Sequence, residues 1–157
     1  MKITIEILED LEACKDGLDW FIKQFPDGTT IKNLVEKINN NHWLGWLMHC
    51  RIDITRECIK AGANVNAGNN YALRFASKHG YIDIIRLLLK NGANVHAKNN
   101  FALRYASSYG HTNIVKLLLA SGANICPEND FALQWARRHG HTAIVKLLEK
   151  HIKKEQE

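Results

Sequence analysis

The chain has 157 residues, 46% of them apolar and 24% charged, and its formal net charge is +5. This composition predicts a folded protein and no membrane span, because the apolar content suffices for a core and no run of eighteen apolar residues occurs. The charge is uneven: residues 1–40 hold five Lys and eight Asp or Glu, whereas residues 41–157 hold sixteen Lys or Arg and eight acids, so the second part favours acidic partners.

The first forty residues predict a helical N-terminal capping segment. Apolar residues recur at helical spacing over residues 8–25 with a break at Gly17, so one kinked helix or two short helices fit. Pro-Asp-Gly at 26–28 predicts a turn, and Thr30 can cap a helix through about Asn39. The inward residues of that helix would be Ile31, Leu34, Val35 and Ile38. The N-terminus lacks the features of a secretory signal, which predicts a cytoplasmic protein.

A loose motif lies in this segment. Residues 14–25 read Cys-Lys-Asp-Gly-Leu-x-Trp-Phe-x-x-x-Phe, and Trp43 and Trp46 follow some twenty residues later. The motif resembles a short leader found on bacteriophage and bacterial proteins that carry repeat domains. The resemblance implies a protein of the bacterial or infected-host cytosol, and an inhibitor or adaptor that acts on a host factor.

Residues 41–68 predict a degenerate first repeat. Trp43 and Trp46 lie thirty residues before Leu73 and Ala76, which belong to a pattern that recurs down the chain. Gly-Ala-Asn-Val lies near the end of the segment, at 62–65, and recurs in the next repeat at 92–95. A terminal repeat covers the exposed end of a stack, so atypical sequence is expected there, with both Trp side chains packed against the capping segment.

Three stretches with a thirty-residue spacing follow, at 69–98, 99–128 and 129–157. They open with NNYALRFASKHG, NNFALRYASSYG and NDFALQWARRHG, which predicts stacked helical repeats. In the middle repeat, Leu103 and Ala106 mark the inward side of a first helix. A Ser-Gly-Ala-Asn sequence supplies a left-handed stop after the second helix, because Gly tolerates positive φ. The apolar face of that second helix comprises Ile114, Val115, Leu117, Leu118 and Leu119.

Gly110-His111, the run at 114–119 and the Gly-Ala-Asn-Val at 92–95 match motifs of the ankyrin repeat, and the chain resembles that family. The resemblance implies an all-α ankyrin-repeat solenoid over 41–157, in which 129–157 is the C-terminal capping repeat. It also implies that His111 and His141 cap and pack at the turn between helices. Residues 148–154 lack the stop glycine and should continue the last helix as a polar extension.

The repeats depart from the ankyrin pattern in two ways. The family's Thr-Pro-Leu-His start is replaced by Tyr-Ala-Leu-Arg, Phe-Ala-Leu-Arg and Phe-Ala-Leu-Gln, so the helix-starting Pro is missing. The period is also about three residues shorter than the family's 33. The missing residues fall between Gly92 and Leu103, where the family forms a protruding finger. We therefore expect blunted fingers and binding that relies more on the first helices.

The sequence predicts neither an enzyme nor a metal or cofactor site. It contains no Gly-rich phosphate loop and no hydrolase or metalloprotease motif. The spacing of the cysteines is not that of a zinc site, so we expect four partly buried free thiols in a reducing cytosol: Cys14, Cys50, Cys58 and Cys126. A catalytic set of His49, His79, Cys50 and Cys58 can be assembled, but nothing in the spacing requires it.

One set of residues on the first helices is not required by the repeat scaffold. Positions i, i+4 and i+8 of each first helix form a stripe, and all nine are aromatic or His: Tyr71, Phe75, His79, Phe101, Tyr105, Tyr109, Phe131, Trp135 and His139. At their first positions these rings can simply stack repeat on repeat. At the last positions, His79, Tyr109 and His139, we expect exposure at the helix ends.

The stripe and the cations beside it predict a non-catalytic module that binds a partner protein with an acidic patch through the concave face. In the ankyrin family, residues after the first-helix Ala-Ala pair commonly contact partners. The alternative is binding of nucleic acid or a nucleotide, with rings stacking on bases and Arg on phosphate; the ankyrin resemblance favours protein. The candidate contacts are Arg74, Phe75, Lys78, His79, Arg104, Tyr105, Ser108, Tyr109, Gln134, Trp135, Arg138 and His139.

Overall fold

A computed structural model of the chain describes residues 2–3, 21–25, 28–38, 44, 47, 52–125 and 131–155. The chain divides into two compact units, residues 1–72 and 73–157. The predictions made for Trp43, Trp46 and three of the cysteines, and for most of the segment 8–25, lie outside the described residues.

The described part of the first unit includes a short strand pair and two helices of eight and nine residues. Strand β1 (Lys2–Ile3) pairs antiparallel with β2 (Thr29–Thr30), and α1 (Ile31–Ile38) follows β2 directly. The Asn33 N–H donates to Thr30 Oγ1 at 3.4 Å, which makes Thr30 the predicted cap, although the bond is long. Helix α1 packs on α2 (Ile52–Lys60). The buried apolar side chains of this unit include Phe21, Leu34, Val35, Leu44, Leu47, Ile54 and Ile59.

The repeats form helix pairs in two layers. The first helices are α3 (Ala67–His79), α5 (Ala97–Ser108) and α7 (Phe131–Arg138), and the second helices are α4 (Ile82–Lys90), α6 (Thr112–Ala120) and α8 (Thr142–Glu155). Helix α5 packs on α6 and on α7, and α7 packs on α8. In the other layer α6 packs against both α4 and α8.

The predicted core of the middle repeat is confirmed. Leu103, Ala106 and Val115 are almost completely buried, and of the predicted apolar face of α6 only Leu117 is partly exposed. The left-handed stop is also confirmed, because Gly122 has φ +90° and the Ala123 N–H donates to the Leu118 carbonyl at 3.0 Å. Helix α8 runs to Glu155, as the predicted polar extension requires.

A left-handed turn replaces the finger between Gly92 and Leu103, and no strand forms there. Lys98, Asn99 and Asn100 all have φ between 54° and 56°, and the segment 68–70 repeats this conformation. Left-handed backbone costs an L-residue about 1–2 kcal/mol, least for Gly and Asn. The turn is held from outside, since Asn100 Oδ1 accepts a hydrogen bond from the Asn124 N–H of the next repeat at 3.2 Å. The short turn therefore uses Asn99 and Asn100 for its left-handed backbone and Asn100 for its hydrogen bond to the next repeat.

Candidate functional site

The turns between helices are joined from repeat to repeat by two histidines. His111 Nε2 lies 2.9 Å from the Lys78 carbonyl oxygen, and His141 Nε2 lies 2.9 Å from the Ser108 carbonyl oxygen. Each imidazole therefore donates to the last turn of the preceding first helix. The resemblance implied that these histidines both cap and pack. They do pack at the turn, but the His111 side chain makes no cap hydrogen bond to α6.

Two glycines provide the space for these rings. A Cβ on Gly80 would lie 3.0 Å from His111 Cε1, and a Cβ on Gly110 would lie 2.8 Å from His141 Cε1. Both glycines also have positive φ, +82° and +77°. The Gly-His pair therefore acts across repeats: the glycine of one repeat receives the histidine of the next.

A cation–π column joins the first helices at mid-length. The Arg104 guanidinium carbon lies 4.4 Å from the ring centroids of both Phe101 and Phe131, and the Arg74 guanidinium carbon lies 6.0 Å from Phe101. Arg104 Nε is buried and has no hydrogen-bond partner within the described part of the chain. Arg74 and Arg104, predicted as partner contacts, therefore contact rings that join one repeat to the next. Phe101 and Phe131 pack between repeats, as the packing interpretation expected.

The remaining rings stack along their own helices toward the helix ends. The Phe75 and His79 ring centroids are 4.3 Å apart, and those of Tyr105 and Tyr109 are 6.2 Å apart. Trp135 and His139 repeat the arrangement at 6.2 Å. The inner rings Phe75, Tyr105 and Trp135 are half-buried, whereas His79, Tyr109 and His139 are exposed, as predicted. Each inner ring packs against the exposed ring one turn further along the same helix.

We call the residues at these ends the helix-end row; it comprises the half-buried Lys78 and the exposed His79, Tyr109, Arg138 and His139. Tyr109 is 49% exposed, and the Lys78 Nζ lies 5.7 Å from its ring centroid, so the row continues from one repeat to the next. Ser108, a predicted contact, is not part of this row, because it is only 7% exposed and its carbonyl oxygen accepts a hydrogen bond from His141. Gln134 is exposed one turn before the row.

The first helices are uniformly basic. Residues 71–79, 101–109 and 131–139 hold five Lys or Arg and no acid. Arg137 Nη2 forms an ion pair with Glu149 Oε1 of α8 at 2.7 Å, so its charge is balanced internally. Arg138 is exposed and has no ion pair with any described residue. The row therefore presents Lys78 and Arg138 as cations without a counter-ion in the described part of the chain.

The described residues contain little that could support catalysis. They include no cluster of three potential metal ligands. Burial and the neighbouring Glu57 raise the pKa of the Cys58 thiol to about 12, so this cysteine is a protonated core residue at neutral pH and a poor nucleophile. An open cavity of about 340 Å³ lies at the helix turns, but His111 is its only titratable lining residue, and that side chain is already hydrogen-bonded to Lys78.

The comparisons with known proteins agree with this geometry. The family described as ankyrin repeats (3 copies) matches residues 12–129 and 96–157. The chain belongs to the ankyrin-repeat family, and its all-α ankyrin solenoid fold is confirmed. Ankyrin repeats are generally protein-protein interaction modules and are typically non-catalytic. No curated protein matches the chain. No helix in the described ranges is long and apolar enough to cross a bilayer.

Proposed function

We propose that the chain binds a partner protein through the helix-end row, on the concave face of the repeats. The observation that carries this proposal is the exposed Tyr109 ring, whose centroid lies 5.7 Å from the Lys78 Nζ of the preceding repeat. The few residues that dominate the energy of a protein interface are enriched in Tyr, Trp and Arg. Tyr109 also rests on Tyr105, so its ordering on binding costs little entropy.

The charge of the second unit supports an acidic partner. Residues 73–157 hold thirteen Lys or Arg and six Asp or Glu. Such an excess raises the encounter rate with an acidic protein, and it makes the affinity fall as salt screens the attraction. The acidic residues of the repeats lie outside the first helices, so the repulsion of an acidic partner is smallest at the row.

The same observations favour protein over nucleic acid. A single-stranded nucleic acid needs a continuous track of cations for successive phosphates. Arg104 lies between two rings and Arg137 is paired with Glu149, so the basic residues of the first helices do not form such a track. The chain offers separate cations, with Lys78 beside the Tyr109 ring and Arg138 at the end of the next first helix.

We extend the proposal to a bacterial or infected-host cytosol, where the chain would act as an inhibitor or adaptor of a host factor. The only support is the leader-like motif at residues 14–25. Tagged chain added to bacterial lysate should recover at least one protein above background. Recovery of none would remove this extension and leave the surface assignment untouched.

The double variant Tyr109→Ala/Arg138→Ala tests the surface. We expect it to reduce partner capture by at least tenfold, because truncating two interface anchors removes 1.4 kcal/mol or more, about a factor of ten. Thermal unfolding should move by less than about 3 °C, since both side chains are exposed.

The matched control is Lys90→Ala/Lys116→Ala, which removes two exposed cations from the second helices. It should leave both capture and melting temperature nearly unchanged. A large fall in melting temperature of the Tyr109/Arg138 variant would mean that these residues hold the stack together instead. Unchanged capture would place the interface elsewhere.

A further inference from the structure

We infer that the helix-end row recognises an extended acidic segment in which single carboxylates flank one central apolar side chain. This inference rests on the proposed function and adds the chemistry of the partner. The central element is Tyr109, the exposed ring of the row that is contributed by the middle repeat. An apolar side chain laid on this ring would cover surface that is now in water.

The flanking elements are two single cations, one from each neighbouring repeat. Lys78 lies in the last turn of α3, and its Nζ already lies 5.7 Å from the Tyr109 ring centroid. Arg138 ends α7, which packs beside α5. Neither cation has an ion pair among the described residues. Each can therefore take one carboxylate, and the Arg138 guanidinium can do so through two parallel hydrogen bonds.

The spacing selects an extended segment. Packed helices lie about 8–10 Å apart, so helix ends separated by two repeats are roughly 20 Å apart. An extended chain covers this distance in about six residues at ~3.3 Å per residue. A helical segment would need about thirteen residues at ~1.5 Å per residue, and only the side chains on one of its faces could reach the row. The short extended segment matches a cation, a ring and a second cation in order.

The test measures binding of a labelled peptide to the full chain by fluorescence anisotropy at about 50 mM salt. The probe is Glu-Glu-Glu-Gly-Leu-Gly-Glu-Glu-Glu, with an all-Gln version and a version with Gly in place of Leu as comparisons. We expect the Gln version to bind at least tenfold more weakly, and the Gly version about threefold more weakly. Arg138→Glu should weaken the Glu peptide at least tenfold.

Lys90→Glu is the matched control for Arg138→Glu. It reverses one exposed charge in the last turn of α4, so the change in net charge and in the helix-end electrostatics is the same. We expect it to weaken the Glu peptide less than threefold, an effect of net charge alone. Equal weakening by both variants would overturn the inference, because it would show that the peptide is attracted by the net charge of the chain and does not bind at the helix-end row.

Three further results would overturn the inference: equal binding of the Glu and Gln peptides, tighter binding of a single-stranded oligonucleotide with the same net charge, or no peptide binding up to about 1 mM. The first would remove the role of carboxylates, and the second would assign the row to nucleic acid. The third would leave the proposed function standing if the Tyr109/Arg138 variant still loses partner capture. If the peptide does not bind and the Tyr109/Arg138 variant also keeps full partner capture, the proposed function is removed as well.

Discussion

Gly110→Ala is expected to destabilise the protein by about 2–5 kcal/mol, whereas Gly140→Ala should cost only about 1–2 kcal/mol. Both glycines have similar positive φ, +77° and +73°, so the backbone penalty of an L-residue is the same. They differ in what the new Cβ would meet. At Gly110 it would lie 2.8 Å from His141 Cε1, and at Gly140 nothing lies within 4 Å.

The additional cost at Gly110 arises because the His141 ring cannot move without losing its hydrogen bond. Its Nε2 is fixed at 2.9 Å from the Ser108 carbonyl, and a displaced ring would leave that carbonyl without its partner. Urea unfolding followed by circular dichroism measures both variants. Combining Gly110→Ala with His141→Ala should make the two costs less than additive, because the second change removes the clash. Equal costs for Gly110→Ala and Gly140→Ala would show that the histidine does not join the repeats.

Arg104→Ala is expected to cost about 1–3 kcal/mol, and Gln134→Ala less than about 0.5 kcal/mol. The two residues occupy the same position one repeat apart. Arg104 lies between two rings, each 4.4 Å from its guanidinium carbon, whereas Gln134 is exposed. Truncation removes two cation–π contacts and the buried stem. The loss is limited because the buried, unpaired Nε disappears with them.

Urea unfolding of both variants decides how Arg104 is used. Arg104→Lys should recover only part of the stability, because an ammonium group is not planar and cannot stack between two rings. If Arg104→Ala proves as mild as Gln134→Ala, the guanidinium contributes little to the stack, and Arg104 belongs with the helix-end row as a partner contact.

The thirty-residue period predicted the helix pairs and their core because each repeat can bury its apolar face only against its neighbours. Leu103, Ala106 and Val115 are buried for that reason. The two-residue pairing of β1 with β2 was not predicted, since so short a strand leaves no alternating pattern. The Asn pair at 99–100 was visible as a repeated feature, but a preference for left-handed backbone does not reveal three such residues in succession.

The candidate surface was predictable in part. Exposure of His79, Tyr109 and His139 followed from their place at the helix ends. The family pattern alone placed Ser108 among the contacts, although the structure buries it. Likewise, Arg104 was expected to face a partner, because the sequence does not show that Phe131 of the next repeat reaches over its guanidinium. Both differences arise from contacts between repeats.

Site-specific photo-crosslinking tests the central claim most directly. The crosslinking side chain is itself aromatic, so it keeps a ring at position 109. It replaces Tyr109 in one chain and Lys116 in another, since both positions are exposed and belong to the same repeat but lie on different helices of the pair. If the helix-end row binds the partner, a crosslinked protein forms from position 109 and is absent from position 116. Equal crosslinking at the two positions, or crosslinking from position 116 alone, would contradict the assignment.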